Sequence, residues 1–288
     1  YMLGVEPMHT TSPWRAFSRV ALFLGLFFTG CCFLDSWHAP FFFNFRYQWL
    51  KLILSFVIPA AVTVWNFLTE RSLRFAGTAC AVLMQVSLVL FFIDRYTVNL
   101  IARLDDSRII YHFLYTLISV FTLLAAGWIC ARCSKACVDF ALFYHRFSLG
   151  YLPLCAFLFI LQFFLLRTFG NIFVTANGVP FRGEIYCLWY YAKTGTLSFS
   201  TALHSAGNVL YFTSLSLALC GTVRRRPVLW GTLVPVALSV FVESFQLLTK
   251  SGDADVDDII LNTLGAVLGV LIFRLLLRPL LQKETRIC

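Results

Sequence analysis

The sequence predicts an all-α integral membrane protein with about eight transmembrane helices and both termini in the cytoplasm. Three observations lead there. Apolar residues make up 59% of the 288 positions and charged residues only 13%, whereas a soluble domain carries about one-quarter charge. Apolar runs recur along the chain at the length of about 20 helical residues needed to cross a hydrocarbon core about 30 Å thick. The Lys and Arg residues concentrate in alternate connections, which fixes an orientation by the positive-inside rule.

The first run, Phe17 to Leu34, has no small-residue cleavage site and is followed by further runs, so it reads as a span and not as a cleaved signal. Trp49–Leu68, Phe75–Ile93 and Ile109–Ala131 complete an amino-terminal group. Its polar residues, Asp35, His38, Asp94, Asp105 and Asp106, fall at run ends or in connections, where solvated charge is the ordinary reading. Residues 1–145 are therefore expected to form an accessory four-helix region. Residues 146–288 hold the remaining runs, Leu149–Leu166, Leu203–Gly221, Val228–Leu248 and Ile259–Leu281. The long connection 167–202 carries Tyr186, Trp189, Tyr190, Tyr191 and Lys193, a composition suited to the headgroup level, and is expected to lie along the membrane as a short amphipathic piece. With the Arg224-Arg225-Arg226 turn in the cytoplasm, this loop and the acidic turn Lys250–Asp258 both emerge on the external side.

The same distribution argues against nucleic acid as a partner. Net charge is +9, but the basic residues sit singly between apolar runs and form no patch interleaved with exposed aromatics. Membrane lipids are the expected surroundings. The ten cysteines do not read as a disulfide framework, because Cys31, Cys32, Cys80, Cys155 and Cys220 lie inside apolar runs. Cys130, Cys133 and Cys137 form a CxxCxxxC with no fourth metal ligand nearby.

Ionisable groups inside a span are costly, about 2.5–3.5 kcal/mol on insertion scales, and call for a partner or a role. Glu243 is such a group, and Gln246, three positions on, shares its helix face. The next helix opens with Asp255, Asp257 and Asp258, and steps of four, three and four align Asp258, Asn262, Gly265 and Gly269 on one stripe. Gly265 and Gly269 form a GxxxG that admits close approach of another helix. Capping and the macrodipole explain one or two of the aspartates without further function. His204 and Asn208 lie four apart at the outer end of the sixth run, where a lone His is ordinarily a surface residue. The outer ends of the last three helices thus assemble a polar mouth, over which Arg182 is placed to neutralise one acid. Glu243 and Asp258 are the candidate catalytic pair, as general acid and base or as oxygen ligands of a divalent cation. The sequence specifies neither a metal nor a cofactor.

The segments Asn177-Gly-Val-Pro180-Phe181-Arg182, Asn208-Val-Leu-Tyr-Phe212, Glu243-Ser-Phe-Gln246 and Asp255-Val-Asp257-Asp258-Ile-Ile-Leu-Asn262-Thr-Leu-Gly265, in that order, resemble the VanZ-like family over about residues 149–281. The chain departs from the family pattern at Gly252, where an Arg often precedes the aspartates, and at Thr213 or Ser214, where a proline is usual. The resemblance implies a multi-pass protein of the bacterial cytoplasmic membrane that acts at the outer face on a cell-envelope component. A cell-wall precursor or a glycopeptide is the implied partner, with lowered susceptibility to teicoplanin as the phenotype. An ion-coupled transporter or flippase and a non-catalytic membrane scaffold are the alternatives left open by the residues themselves.

Overall fold

The computed structural model describes residues 13–32, 48–82, 84, 106–134, 138–160, 176–195, 199–249 and 254–287. Among the described residues the protein is all-α apart from one two-residue strand pair. Its helices are α1 (Pro13–Cys32), α2 (Gln48–Glu70), α3 (74–82), α4 (Asp106–Cys133), α5 (Phe140–Ile160), α6 (Arg182–Thr194), α7 (Phe199–Thr222), α8 (Pro227–Thr249), α9 (Val256–Ile272) and α10 (Arg278–Ile287). Strands β1 (Ala176–Asn177) and β2 (Ala254–Asp255) pair in parallel, Ala176 opposite Ala254 and Asn177 opposite Asp255. Two helical stretches among the described residues, Pro227–Thr249 and Val256–Glu284, are long and apolar enough to cross a membrane. The expected run Phe75–Ile93 is helical over 74–82, and most of its remainder lies outside the described residues.

Proline at the first position of α1 and of α8 starts each helix where a missing N–H breaks no bond. In the amino-terminal part, α1 rests on α2. Arg19 grips Glu70 through two bonds, Nε to Oε1 at 2.5 Å and Nη2 to Oε2 at 3.0 Å, and the buried Asn66 donates to Ser18 Oγ at 3.2 Å. Helix α3 lies against α5 at two glycines: a Cβ on Gly77 would strike the backbone of Phe143, and one on Gly150 the backbone of Ala81.

Helix α5 begins at Phe140 and not at Leu149. Hydropathy alone passes over this first stretch because it contains His145 and Arg146, yet both find partners in neighbouring elements: His145 Nδ1 meets Gly221 O at 2.9 Å, and Arg146 bonds the Thr78 hydroxyl. The helix carries a ladder of rings, with Phe143 stacked on Phe147 and Phe147 on Tyr151, at centroid spacings of 6.1 and 6.4 Å. Tyr144 stacks on Phe273 beyond the end of α9.

Helix α7 is the hub of the carboxyl-terminal part, packed by α5, α8 and α9. Its contact with α9 depends on the predicted glycine stripe. A Cβ on Gly265 would land on Val209 O, and one on Gly269 would stand 2.5 Å from Thr213 O, so the two backbones touch where side chains would hold them apart. Helix α9 passes through a π turn, Phe273–Leu277, into α10 without a break. Trp128 Nε1 of α4 donates to Leu276 O in that turn at 3.1 Å. Glu284 of α10 then caps α5, its two carboxylate oxygens accepting Phe140 N–H and Ala141 N–H at 2.7 Å each.

Candidate functional site

The polar residues gather where α8 ends, α9 begins and the β1–α6 segment crosses them. Helix α8 turns Ser239, Val242, Glu243 and Gln246 inward, and α9 turns Asp257, Asp258, Asn262, Gly265 and Gly269 inward. Every one of these is buried, including the carboxylates of Glu243, Asp257 and Asp258. The two inward faces follow the helical period read from the sequence.

Each acid has a distinct donor. Glu243 Oε2 accepts the backbone N–H of Asp255 at 2.9 Å, which ties the middle of α8 to the strand that leads into α9. Asp255 is the N-cap of α9: its Oδ1 accepts Asp257 N–H at 2.9 Å, so this aspartate performs the capping role that the sequence allows. The same oxygen accepts Asn177 Nδ2 at 3.0 Å. Asp257 Oδ1 accepts Phe181 N–H at 2.5 Å. Asp258 Oδ1 accepts Asn208 Nδ2 of α7 at 2.7 Å. Asp255, Asp257 and Asp258 also lie at the positive end of the α9 dipole.

The segment Asn177–Phe181 forms a strap over this end of the bundle. Asn177 Oδ1 accepts Val179 N–H at 3.2 Å, an Asx turn that bends the chain sharply after β1. Phe181 sits at φ 60° and caps the start of α6 while its N–H reaches Asp257. Helix α6 follows on the surface, with Ile185, Tyr186, Trp189, Tyr190 and Tyr191 all exposed. Lys193 lies over the Trp189 ring at 4.0 Å, and Gly195 ends the helix at φ 67°.

The structure brings together nearly all the residues expected at the mouth: Asn177, Asn208, Glu243, Gln246, Asp255, Asp257, Asp258 and Asn262. Arg182 is different. It is exposed and makes no ion pair among the described residues, and Glu243 takes its hydrogen bond from a backbone N–H instead. His204 lies in α7 one turn before Asn208, and its side chain lies outside the described residues. Ser239 was not expected at the site; Asn262 Nδ2 donates to its hydroxyl at 2.9 Å. Its position, four residues before Glu243, is the signal that identifies it.

Among the described residues, no group of three or more His, Cys, Asp and Glu side chains is arranged to hold a metal ion. Cys130 is buried in α4 and Cys133 exposed at its end, and Cys137 lies outside the described residues.

A helical bundle that buries acids and amides at one end, beneath a strap ending in an aromatic surface helix, is the class that this fold and site define. Within that class, the carboxyl-terminal half is a VanZ-like domain: residues 151–277 match the VanZ/LLP1 family model. The match contains the strap, the acid cluster and the glycine stripe. No curated protein and no solved structure matches the chain.

Proposed function

We propose that the chain is a multi-pass protein of the bacterial cytoplasmic membrane, with about eight spans and cytoplasmic termini, and that its VanZ-like half acts at the outer face on a cell-envelope component. Lowered susceptibility to the glycopeptide teicoplanin is the phenotype this reading expects. The observation that carries it is the strap: Asn177 and Phe181 hold two aspartates of the α9 start, Asp255 and Asp257, from the far side of a long connection. A segment that only joined α5 to α7 would need no such attachment. The apolar α8 and α9 and the exposed aromatic face of α6 support a membrane setting, with α6 at the headgroup level.

In this reading Glu243 and Asp258 face the incoming group as acceptors or proton carriers. Asn177 and Asn208 position the aspartates. The test is teicoplanin susceptibility of a sensitive Gram-positive host expressing the intact chain or Glu243→Gln, with membrane levels matched and vancomycin run alongside. The intact chain is expected to lower susceptibility and Glu243→Gln to lose the effect. An intact, well-expressed chain that changes neither response refutes the proposal.

A non-catalytic scaffold is the second reading, favoured by two polar contacts that join helices: Asn208 to Asp258 and Asn262 to Ser239. A scaffold tolerates Glu243→Gln in the same assay as long as the helices stay packed.

A further inference from the structure

The end of the bundle away from the acids is basic. His145 of α5 meets Gly221 O at the close of α7, about 20 Å along that helix from Asn208. The turn between α2 and α3 lies on the start of α5, with Leu73 N–H bonded to Val138 O at 2.8 Å and the Ser72 hydroxyl donating to Asp139 Oδ2 at 2.7 Å. Arg71, Arg74 and the Arg224-Arg225-Arg226 turn are exposed at this end. The described acids there are already engaged: Glu70 by Arg19, Asp139 by Ser72, and Glu284 by two backbone N–H groups. None of the exposed arginines is in an ion pair among the described residues.

Arg146 is a different case. It lies in the second turn of α5 and not on a connection, so the positive-inside rule does not account for it. Its Nη1 bonds the Thr78 hydroxyl of α3 and Arg74 O, the latter at 3.3 Å, which sets the guanidinium beside the first turn of α3. A guanidinium has five N–H donors, and Nε and Nη2 of Arg146 have no partner among the described residues. From here α3 and α5 run side by side into the bundle, Gly77 against the Phe143 backbone and Gly150 against the Ala81 backbone. Arg74, Thr78 and Val82 follow one stripe of α3 at steps of four, and Leu149 shares the face of Arg146 on α5. Val82 is 45% exposed and Leu149 47%. Two cations and a hydroxyl thus stand at the mouth of the α3–α5 seam, with exposed apolar side chains one turn deeper.

We infer that the α3–α5 seam binds an anionic phospholipid, its phosphate held by Arg74 and Arg146 and its acyl chains laid over Val82 and Leu149. The order of polarity decides the occupant. A nucleic acid or an acidic peptide would use the cations and gain nothing from apolar groups below them. A zwitterionic lipid would bring a cation of its own to a surface whose described acids are taken. An anionic headgroup matches the charge, and its chains match the depth. The planar fork of Arg suits phosphate because it presents parallel N–H donors. In the proposed orientation this end faces the cytoplasm, so the lipid belongs to the inner leaflet. The inference rests on the proposed membrane setting and is independent of the glycopeptide phenotype: Arg74, Thr78 and Arg146 all fall outside the matched residues 151–277.

The test uses the full chain purified in a neutral detergent. Its thermal unfolding is followed as dioleoyl phosphatidylglycerol, dioleoyl phosphatidylcholine or sodium glycerol phosphate is added. Phosphatidylglycerol should raise the midpoint, and the other two should not. Arg74→Gln, at an exposed position, should weaken the apparent affinity for phosphatidylglycerol about threefold or more, and Arg74→Gln combined with Arg146→Gln about tenfold or more. The control is a chain with Arg224→Gln, Arg225→Gln and Arg226→Gln together, which removes more charge and should lose less than about twofold. Where the combined variant fails to give a single size-exclusion peak, Arg74→Gln alone is set against the control. Losses that follow the number of charges removed, wherever they lie, overturn the site in favour of a diffuse field. Equal responses to the two lipids overturn it, as does an equal response to glycerol phosphate, which assigns the arginines to a free phosphate. Fractionation separates the site from the setting beneath it. A chain recovered in the supernatant without detergent refutes the membrane setting and the site with it, whereas a chain that needs detergent and ignores phosphatidylglycerol refutes the site alone.

Discussion

Gly269→Ala offers the sharpest test of how α7 and α9 are held. The added Cβ would stand 2.5 Å from Thr213 O, 2.7 Å from Ser216 Cβ and 3.0 Å from Ser216 Oγ. Thr213 O is backbone and both Ser216 atoms belong to a side chain held by two hydrogen bonds, so the strain is not shed by turning a rotamer. To reach an ordinary contact of about 3.5 Å, α9 must withdraw from α7 by about 1 Å. That movement stretches the bonds from Thr213 Oγ1 to Gly265 O and from Ser216 Oγ to Ala266 O, both now 3.0 Å, to a length at which they no longer count. Overpacking of this kind costs about 1–3 kcal/mol. Each lost bond adds about 0.5–1.5 kcal/mol. Against this, alanine gains about 1 kcal/mol of helix propensity over glycine. The net loss is about 1–5 kcal/mol, a fall of about 2–20 °C in the unfolding midpoint. Gly207→Ala is the internal control, since a Cβ there meets nothing within 4 Å and the propensity gain stands alone. Circular dichroism of both variants in one detergent should show Gly269→Ala destabilised and Gly207→Ala unchanged or stabilised. Equal midpoints for the two refute the close-contact argument.

Substitutions at two further positions probe the edges of the bundle and of the site. Glu284→Ala removes both acceptors from the first turn of α5 and should destabilise by about 0.5–2 kcal/mol, with faster amide exchange confined at first to Phe140 and Ala141; unchanged exchange there would show that the cap contributes nothing. Asn208→Leu deprives the buried Asp258 of its 2.7 Å amide donor and should cost about 1–3 kcal/mol in thermal unfolding, whereas Asn208→Asp should be worse because it sets a second carboxylate against the first.

The parts of this structure that were legible in the sequence share one property: they repeat with the helix. Ser239 aside, the inward faces of α8 and α9 follow from the spacing of Glu243, Gln246, Asp258, Asn262, Gly265 and Gly269, since a polar or glycine residue three or four positions from another must share its face. The parts that were not legible depend on contacts between distant segments. The β1–β2 pair is two residues long, too short for an alternating pattern to register, and it joins Asn177 to Asp255 across much of the domain. The expected role of Arg182 failed because charge proximity in a sequence does not decide which donor reaches an acid first; a backbone N–H of β2, fixed in place by strand pairing, takes Glu243 without the entropy of ordering a long side chain. The π turn left no local mark, and its meaning lies in the carbonyl it presents to Trp128.

The hydroxyls of α7 explain how the site keeps its geometry although the chain lacks the proline usual at this point of the family pattern. Thr213 bonds Gly265 O of α9, Ser214 meets Tyr151 of α5 at 2.5 Å, and Ser216 bonds Gly231 O of α8 at 2.6 Å as well as Ala266 O of α9. Three hydroxyls within one turn therefore pin α7 to three helices. A proline at position 213 or 214 would remove one of those pins. Helices α8 and α9 leave many large apolar side chains exposed, so burial alone gives little reason for one helix register over another, and the interhelical hydrogen bonds add one. Asn208 lies on the same helix, one turn and a half toward the site, so the register set by the hydroxyls also sets where Asn208 meets Asp258. The position of Asp258 is thus held from α7 as well as by the bonds that join α8 to α9.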